Sequence, residues 1–421
     1  MITRRTFVSC LTALGSLTLT TPVFAAGNGP QKAIAITKVY GDGQRFIAIA
    51  LTYAAPVAAS DLEASAFTVE GRTVTDVYPA SSVDPSDRAD AGPVVIIALS
   101  PEDAGAMLKI AQERPAGGRP EWSVGDPMES APQWASPEGN VAAQGIQIAT
   151  SDVVNLIVDQ FQQRVWEDPK TGDTLPYNLF IPAGYDPAKS YPLVNFMHDA
   201  GNSSSNPLAT LKQGLGAVSW ASSEDQAHRP AFVLAPQFAE IVTSDSSQTS
   251  SMLDTTLNLI TALTQEFSID PARLYTTGQS GGGMLSIAMN IKYPDFFAAS
   301  FLVACQWDPA LVAPMAGNRL FILVSEDDAK AFPGQNAITA ALESHGAKVA
   351  RAVWDGRWSA DQFQFAFDDL IAEEANVNYV ALVKGSVIPE GADTGGAAGH
   401  INTWPIAYNI APIRKWLLEG A

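Results

Sequence analysis

Across residues 32–100, apolar and polar positions alternate in short runs: AIAITKVY, RFIAIALTY, AFTVEG, RTVTDVYP and PVVIIALS. Turn-rich pieces such as Gly41-Asp42-Gly43 separate them. Period-two runs of this length, rich in Val, Ile and Thr and broken by turns, predict a small β-sandwich of immunoglobulin type. No Cys-Trp-Cys framework accompanies the strands, so that expectation rests on strand spacing. Pro101 opens an expected short helix over 102–113, since proline suits a first helical turn. Residues 115–140 are rich in Pro and Gly and read as a long loop or an interdomain connection.

After about Asp152 the pattern changes. Apolar runs such as YPLVNFMHD, AFVLAPQF, RLYTTG, FAASFLVAC, RLFILVSED, KVARAVWDG and NYVALVKG now alternate with helix-length segments. The helix candidates cover 254–267, 284–291, 335–345 and 406–419. Such alternation predicts a mostly parallel sheet with helices on both faces, in which a functional site lies at the carboxyl ends of the strands. The expected division is a leader at 1–25, a β-sandwich with its linker at 27–150 and an α/β domain at 151–421.

The leader is read from Thr3-Arg4-Arg5-Thr6-Phe7, a twin-arginine pattern, followed by an apolar stretch too short to span a bilayer and a small-residue cleavage site at Val23-Phe24-Ala25. The expectation is export of a folded protein to the periplasm or medium, with a mature chain starting near Ala26 and no membrane anchor. Cys10 lies ahead of most of the apolar stretch, which argues against a lipoprotein signal. Cys305 is then the one remaining thiol, set in an apolar run, and reads as a core residue.

Composition narrows the class further. With 421 residues, 47% of them hydrophobic and 16% charged, the chain can bury a sizeable core and has room for two domains. Its net charge of −19, with no basic patch to offset it, argues against nucleic acid or an anionic membrane as a partner. The loop Asp84-Pro85-Ser86-Asp87-Arg88-Ala89-Asp90 has acids, yet Arg88 interrupts them and no glutamate closes a calcium pattern, so it reads as a solvated hairpin loop. No metal or cofactor is expected.

The chemistry concentrates at Gly278-Gln279-Ser280-Gly281-Gly282, where an apolar run meets a helix candidate. Gly-x-Ser-x-Gly is the nucleophile elbow, a sharp strained turn that lifts a serine hydroxyl above a sheet. The pentapeptide alone is a weak signal; its place at the end of a buried strand strengthens it. A serine hydroxyl needs an imidazole to take its proton and a carboxylate to orient that imidazole, in the chain order Ser, acid, His.

Only His345 and His400 follow Ser280. His345 ends a predicted helix, whereas His400 follows Gly395-Gly396-Ala397-Ala398-Gly399 in an expected loop ahead of the last helix, and is the chosen base. The acid should follow the strand that runs into Ser325-Glu326-Asp327-Asp328; Asp328 is chosen, with Asp327 as the reserve. Two backbone N–H groups must face the developing oxyanion. One is expected from Gly281 and the other from the loop His198-Asp199-Ala200-Gly201, at Ala200. His198 precedes Ser280 and reads as loop architecture, His228 as a surface residue. Trp307 and Trp404 read equally as pocket walls or as core.

The segments Tyr177-Asn178-Leu179-Phe180-Ile181-Pro182, Gly184-Tyr185-Asp186-Pro187, Ser190-Tyr191-Pro192-Leu193 and His198-Asp199-Ala200-Gly201 resemble secreted α/β-hydrolase esterases related to polyhydroxybutyrate depolymerases and prolyl-oligopeptidase-like enzymes. Within that group the chain is most similar to bacterial carboxylesterases with an N-terminal immunoglobulin-like domain. The resemblance covers the chain well from about Asp159 onward, and the N-terminal part loosely. It implies an α/β-hydrolase fold with Ser280 as nucleophile, Asp328 as acid, His400 as base and Ala200 with Gly281 near the oxyanion.

One departure stands out: the broader pattern has Gly after the first His of the oxyanion loop, where this chain has Asp199. A carboxylate there would repel the oxyanion, so its side chain is expected to turn away and accept hydrogen bonds from nearby backbone N–H groups. The implied activity is hydrolysis of short- to medium-chain carboxylic esters, with a polyester depolymerase or a peptidase as variants. The alternative outside enzymology is a binding protein that keeps the hydrolase scaffold. Small or polymeric esters are the expected substrates.

Overall fold

A computed structural model describes residues 29–111, 123–127, 131–392, 394–395 and 397–419. The twin-arginine stretch, Cys10 and most of residues 112–130 lie outside the described residues. No helix among the described residues is long and apolar enough to cross a membrane.

The N-terminal domain is built from β1 (Lys32–Tyr40), β2 (Gly43–Ala58), β3 (Phe67–Val69), β4 (Val74–Ala80), β5 (Ala91–Leu99), β6 (Asn140–Ala143) and β7 (Ile146–Asn155). They pair in the order β3-β6-β7-β1-β2-β5-β4, antiparallel except for β1 with β7. Alternation along the strands divides the apolar residues between two cores. Ala33, Ala35, Ile49, Leu51, Val95 and Ile97 enter one together with Phe67 and Val69. Ile34, Ile36, Ala48, Ala50, Val94 and Ile96 enter the other. The strand period of two is thus read directly from the sequence.

The structure corrects the expected helix at 102–113 over its described part, 102–111. Only a single turn forms, where the Ala106 N–H donates to the Asp103 carbonyl. Beyond it the chain runs extended: the Leu108 N–H donates to the Gln44 carbonyl, and the Ile110 N–H to that of Gln133. Leu108 is buried in the domain core and Arg72 holds Asp103 by an ion pair, so tertiary contacts override helix propensity. The loop at 84–90 is closed by its own bonds, with Asp84 accepting from Ser86 and Asp87 from Ser82. β7 carries the domain to Asn155, beyond the expected division at 150/151.

The second domain holds β8 (Gln162–Glu167), β9 (Thr174–Phe180), β10 (Tyr191–Met197), β11 (Phe232–Pro236), β12 (Ile269–Gln279), β13 (Ala299–Val303), β14 (Leu320–Ser325), β15 (Val349–Trp354) and β16 (Val377–Leu382). Their order is β15-β16-β14-β13-β12-β10-β11-β9-β8, parallel from β15 to β11 and antiparallel at β9 and β8. The helices are α1 (Ala209–Lys212), α2 (Leu215–Val218), α3 (Ser223–His228), α4 (Met252–Glu266), α5 (Gly281–Lys292), α6 (Ala331–Ser344), α7 (Ala360–Ile371), α8 (Ala398–Asn409) and α9 (Ala411–Leu418).

Central strands are apolar on both faces because both are covered. Leu320, Ile322 and Val324 of β14 face α4, α5 and α6, while Phe321 and Leu323 face α7, α8 and α9. The segment expected as one helix over 406–419 is two. α8 begins earlier, at Ala398, and the chain breaks at Ile410 before Pro412 sits in the first turn of α9.

Candidate functional site

β12 ends at Gln279 and α5 begins at Gly281, so Ser280 alone makes the turn, with φ 52° and ψ −121°. A non-glycine residue held there stores roughly 1–3 kcal/mol of strain, which the surrounding structure must offset. The Ser280 N–H is fixed by the Val303 carbonyl at 3.0 Å. The flanking glycines are required by close approach. A Cβ on Gly278 would lie 2.4 Å from the Gly282 carbonyl carbon, and one on Gly282 only 2.0 Å from the Met197 carbonyl oxygen.

His400 lies within α8 rather than in the loop expected ahead of the last helix. The small-residue run Ala397-Ala398-Gly399 lets the helix start earlier and bring its first turn against the acidic turn after β14; a Cβ on Gly399 would lie 2.4 Å from the Asp327 Cβ. His400 Nε2 is 2.9 Å from Ser280 Oγ and its Nδ1 is 2.5 Å from Asp328 Oδ2. A carboxylate only accepts, so Nδ1 carries the proton and Nε2 is free to accept from the serine hydroxyl.

The three consecutive acids divide their work. Glu326 accepts from the Lys384 N–H and Asp327 from the Gly385 N–H, leaving Asp328 for the imidazole. Burial opposes the Asp328 charge, but the hydrogen bond and charge of His400 and the N–H groups of Ala331 and Lys330 outweigh it and hold its pKa below the ordinary carboxyl value.

The two residues expected at the oxyanion, Ala200 and Gly281, lie close together: the Ala200 nitrogen is 3.1 Å from the point a Cβ on Gly281 would occupy. Gly281 is the first residue of α5, where an N–H has no intrahelical acceptor. Thr243 Oγ1 donates to the Gly281 carbonyl at 3.2 Å and steadies that peptide.

The partners of Asp199 are side-chain amides in place of the expected backbone N–H groups. Its Oδ2 accepts from the side-chain amides of Asn202 at 2.6 Å and Gln279 at 3.3 Å. Gln213 Oε1 accepts from the same two amides, at 2.9 and 3.2 Å. Sequence reasoning missed Asn202, Gln213 and Gln279, because a buried polar residue in a loop or at a strand end looks like a solvated one. The one signal was a glutamine inside the elbow itself, at the buried end of a strand.

His198 is loop architecture, as expected. Its Nδ1 donates to the Asp199 carbonyl at 2.8 Å and its Nε2 accepts the Phe238 N–H at 3.0 Å. Burial holds its pKa below the ordinary value, so the ring stays neutral. His228 and His345 are exposed, the latter at the C-terminus of α6. Cys305 is fully buried, and burial pushes its thiol pKa up. Trp307 packs in the core, whereas Trp404 stands edge-on to His400 with ring centroids 5.3 Å apart. Among the described residues no cluster suits a metal ion.

Fold and site together define a protein of the α/β-hydrolase fold class with an immunoglobulin-like domain ahead of it. Residues 32–155 match the family model of the esterase Ig-like N-terminal domain. A thermostable esterase of known crystal structure superposes with a TM-score of 0.75 at 23% identity, covering 92% of this chain and 99% of that one. The fold is therefore shared across both domains. A feruloyl esterase module from Clostridium thermocellum matches with a TM-score of 0.40 at 14% identity, over 60% of this chain and 88% of that one. An acetyl xylan esterase from Aspergillus awamori matches at 0.35 and 16%, over 45% and 81%. No curated protein sequence matches the chain significantly.

Proposed function

We propose that this protein is an exported serine carboxylesterase acting on short- to medium-chain esters through an acyl-enzyme on Ser280. The observation that carries the reading is the single imidazole of His400, hydrogen-bonded to Ser280 on one side and to Asp328 on the other. The match of residues 32–155 to an esterase-associated domain supports it.

In the first half-reaction His400 Nε2 takes the Ser280 proton as Oγ bonds to the ester carbonyl carbon. The oxygen that gains the electron pair faces the N–H groups of Ala200 and Gly281, each good donor being worth roughly 3 kcal/mol in the transition state. Collapse breaks the carbon–alkoxy bond, and the imidazolium returns its proton to the departing alcohol. Water then repeats the sequence on the acyl-enzyme, releasing the carboxylic acid and restoring the serine. Asp328 stays ionised throughout and stabilises the imidazolium.

The test is turnover across ester chain lengths, amides and polyester films, with Ser280→Ala and His400→Ala alongside. Each variant should stay folded and lose at least ~10³-fold in kcat. Preferred turnover of films or amides would move the reading to a depolymerase or peptidase, and a harmful His345→Ala beside a harmless His400→Ala would overturn the assigned base.

A further inference from the structure

The β1–β2 hairpin of the N-terminal domain ends in Gly41-Asp42, and that turn is inserted between two elements of the α/β domain. On one side lies α8, the helix of His400. A Cβ on Gly41 would fall 2.1 Å from the Pro405 Cβ and 3.0 Å from its Cα, so the bare turn bears directly on the helix. On the other side lies Gly214, where a Cβ would fall 2.8 Å from the Gly41 carbonyl oxygen. Gly214 has φ 165°, an extended value open to any residue, so the side chain is excluded by contact rather than by backbone conformation.

The residue before Gly214 is Gln213, whose carbonyl oxygen Oε1 receives the amides of Asn202 and Gln279 beside the oxyanion loop and the elbow. One turn therefore touches the supports of both halves of the site. It is also held firmly. Gln44 Nε2 donates to Thr37 Oγ1 and to Asn155 Oδ1, both at 2.7 Å, and the Asn155 N–H and side-chain amide are fixed by Asp159 at 2.7 and 2.9 Å. Val39 shares a hydrophobic core with Ala407 and Tyr408 of α8.

We propose that the Gly41-Asp42 turn is a positioning wedge, which sets the placement of His400 relative to Ser280 and the oxyanion loop, so that the N-terminal domain forms part of the catalytic apparatus. The proposal rests on the esterase reading. It acts on geometry: a shift of about 1 Å in a reacting group, caused far from the chemistry, is enough to lower turnover by roughly 100-fold. No residue of the wedge touches substrate.

The experiment uses the full chain carrying Gly41→Ala, Pro405→Gly or both, with Gly105→Ala as a control in the same domain, where an added Cβ meets only ordinary contact. Gly41→Ala should lower kcat on a short-chain ester by ~10–100-fold with KM changed less than about twofold, and should slow fluorophosphonate labelling in parallel. Removing the Pro405 ring makes room for the added methyl, so the double variant should regain most of the loss. A role in stability alone would not give that kcat-specific loss and rescue.

Should Gly41→Ala not fold, Gly214→Ala presses on the same turn from its other side and is read in its place, again with Pro405→Gly as rescue. Wild-type turnover by either variant, or a loss that Pro405→Gly leaves uncorrected, overturns the wedge. The wild type and Ser280→Ala, run alongside, test the esterase reading separately.

Discussion

Asp199 shows how one residue can oppose the expected chemistry and still serve it. A carboxylate facing the oxyanion would cancel the gain from the proposed Ala200 donor, but here it accepts from the amides of Asn202 and Gln279 and so ties down the loop that carries Ala200. Asp199→Ala should lower kcat by ~10–100-fold while KM changes little, measured on one short-chain ester. Unchanged turnover would show that the carboxylate holds nothing in place. Asp328 gives a prediction in pH. Its folded pKa lies below the ordinary 3.8, so its contribution to stability is fully present above that value and is lost as pH falls through the folded value. Urea midpoints of wild type and Asp328→Asn should therefore converge as pH drops below about 4. A gap that stays constant down to pH ~2 would contradict the assigned ionisation.

Between strand and helix, the elbow depends on contacts that no rotamer can relieve. Gly282→Ala would drive a methyl into the Met197 carbonyl at the end of β10, and should cost roughly 1–3 kcal/mol or more, read as a lower urea midpoint. An unchanged midpoint would mean that the turn has slack the structure does not show. The elbow was legible because its glycines and the preceding apolar strand sit next to one another in the chain. The choice of Asp328 over Asp327 depended on which way the turn after β14 faces, and the sequence carries that only as three adjacent acids. β6 and β7 were missed for a different reason. β7 is exposed or half-buried along its length, which erases the alternation, and the hairpin between them uses Gln144-Gly145, both at positive φ, where Asn-Gly is the stronger signal. α8 was placed too late in the chain because its start is only alanine and glycine, so the helix shows no apolar period before His400.

Taken as a whole, the molecule joins a β domain to a hydrolase domain so that a hairpin of the first reaches the helix of His400 in the second. The expected leader belongs to this scale as well. A twin-arginine route exports folded chains, and the proposed positioning of His400 by the N-terminal domain would suit that route. Replacing Arg4 and Arg5 by Lys should leave an active precursor in the cytoplasm, detected by fractionation and ester turnover; continued export would refute the leader assignment. The central claim, that Ser280 is made nucleophilic by His400 and Asp328, is tested most directly by fluorophosphonate labelling followed by peptide mass analysis. The expected result is one adduct, on the peptide containing Ser280, formed with loss of ester turnover and slowed at least ~10³-fold in His400→Ala. An adduct on another residue, or labelling of Ser280 at the wild-type rate without His400, would contradict it.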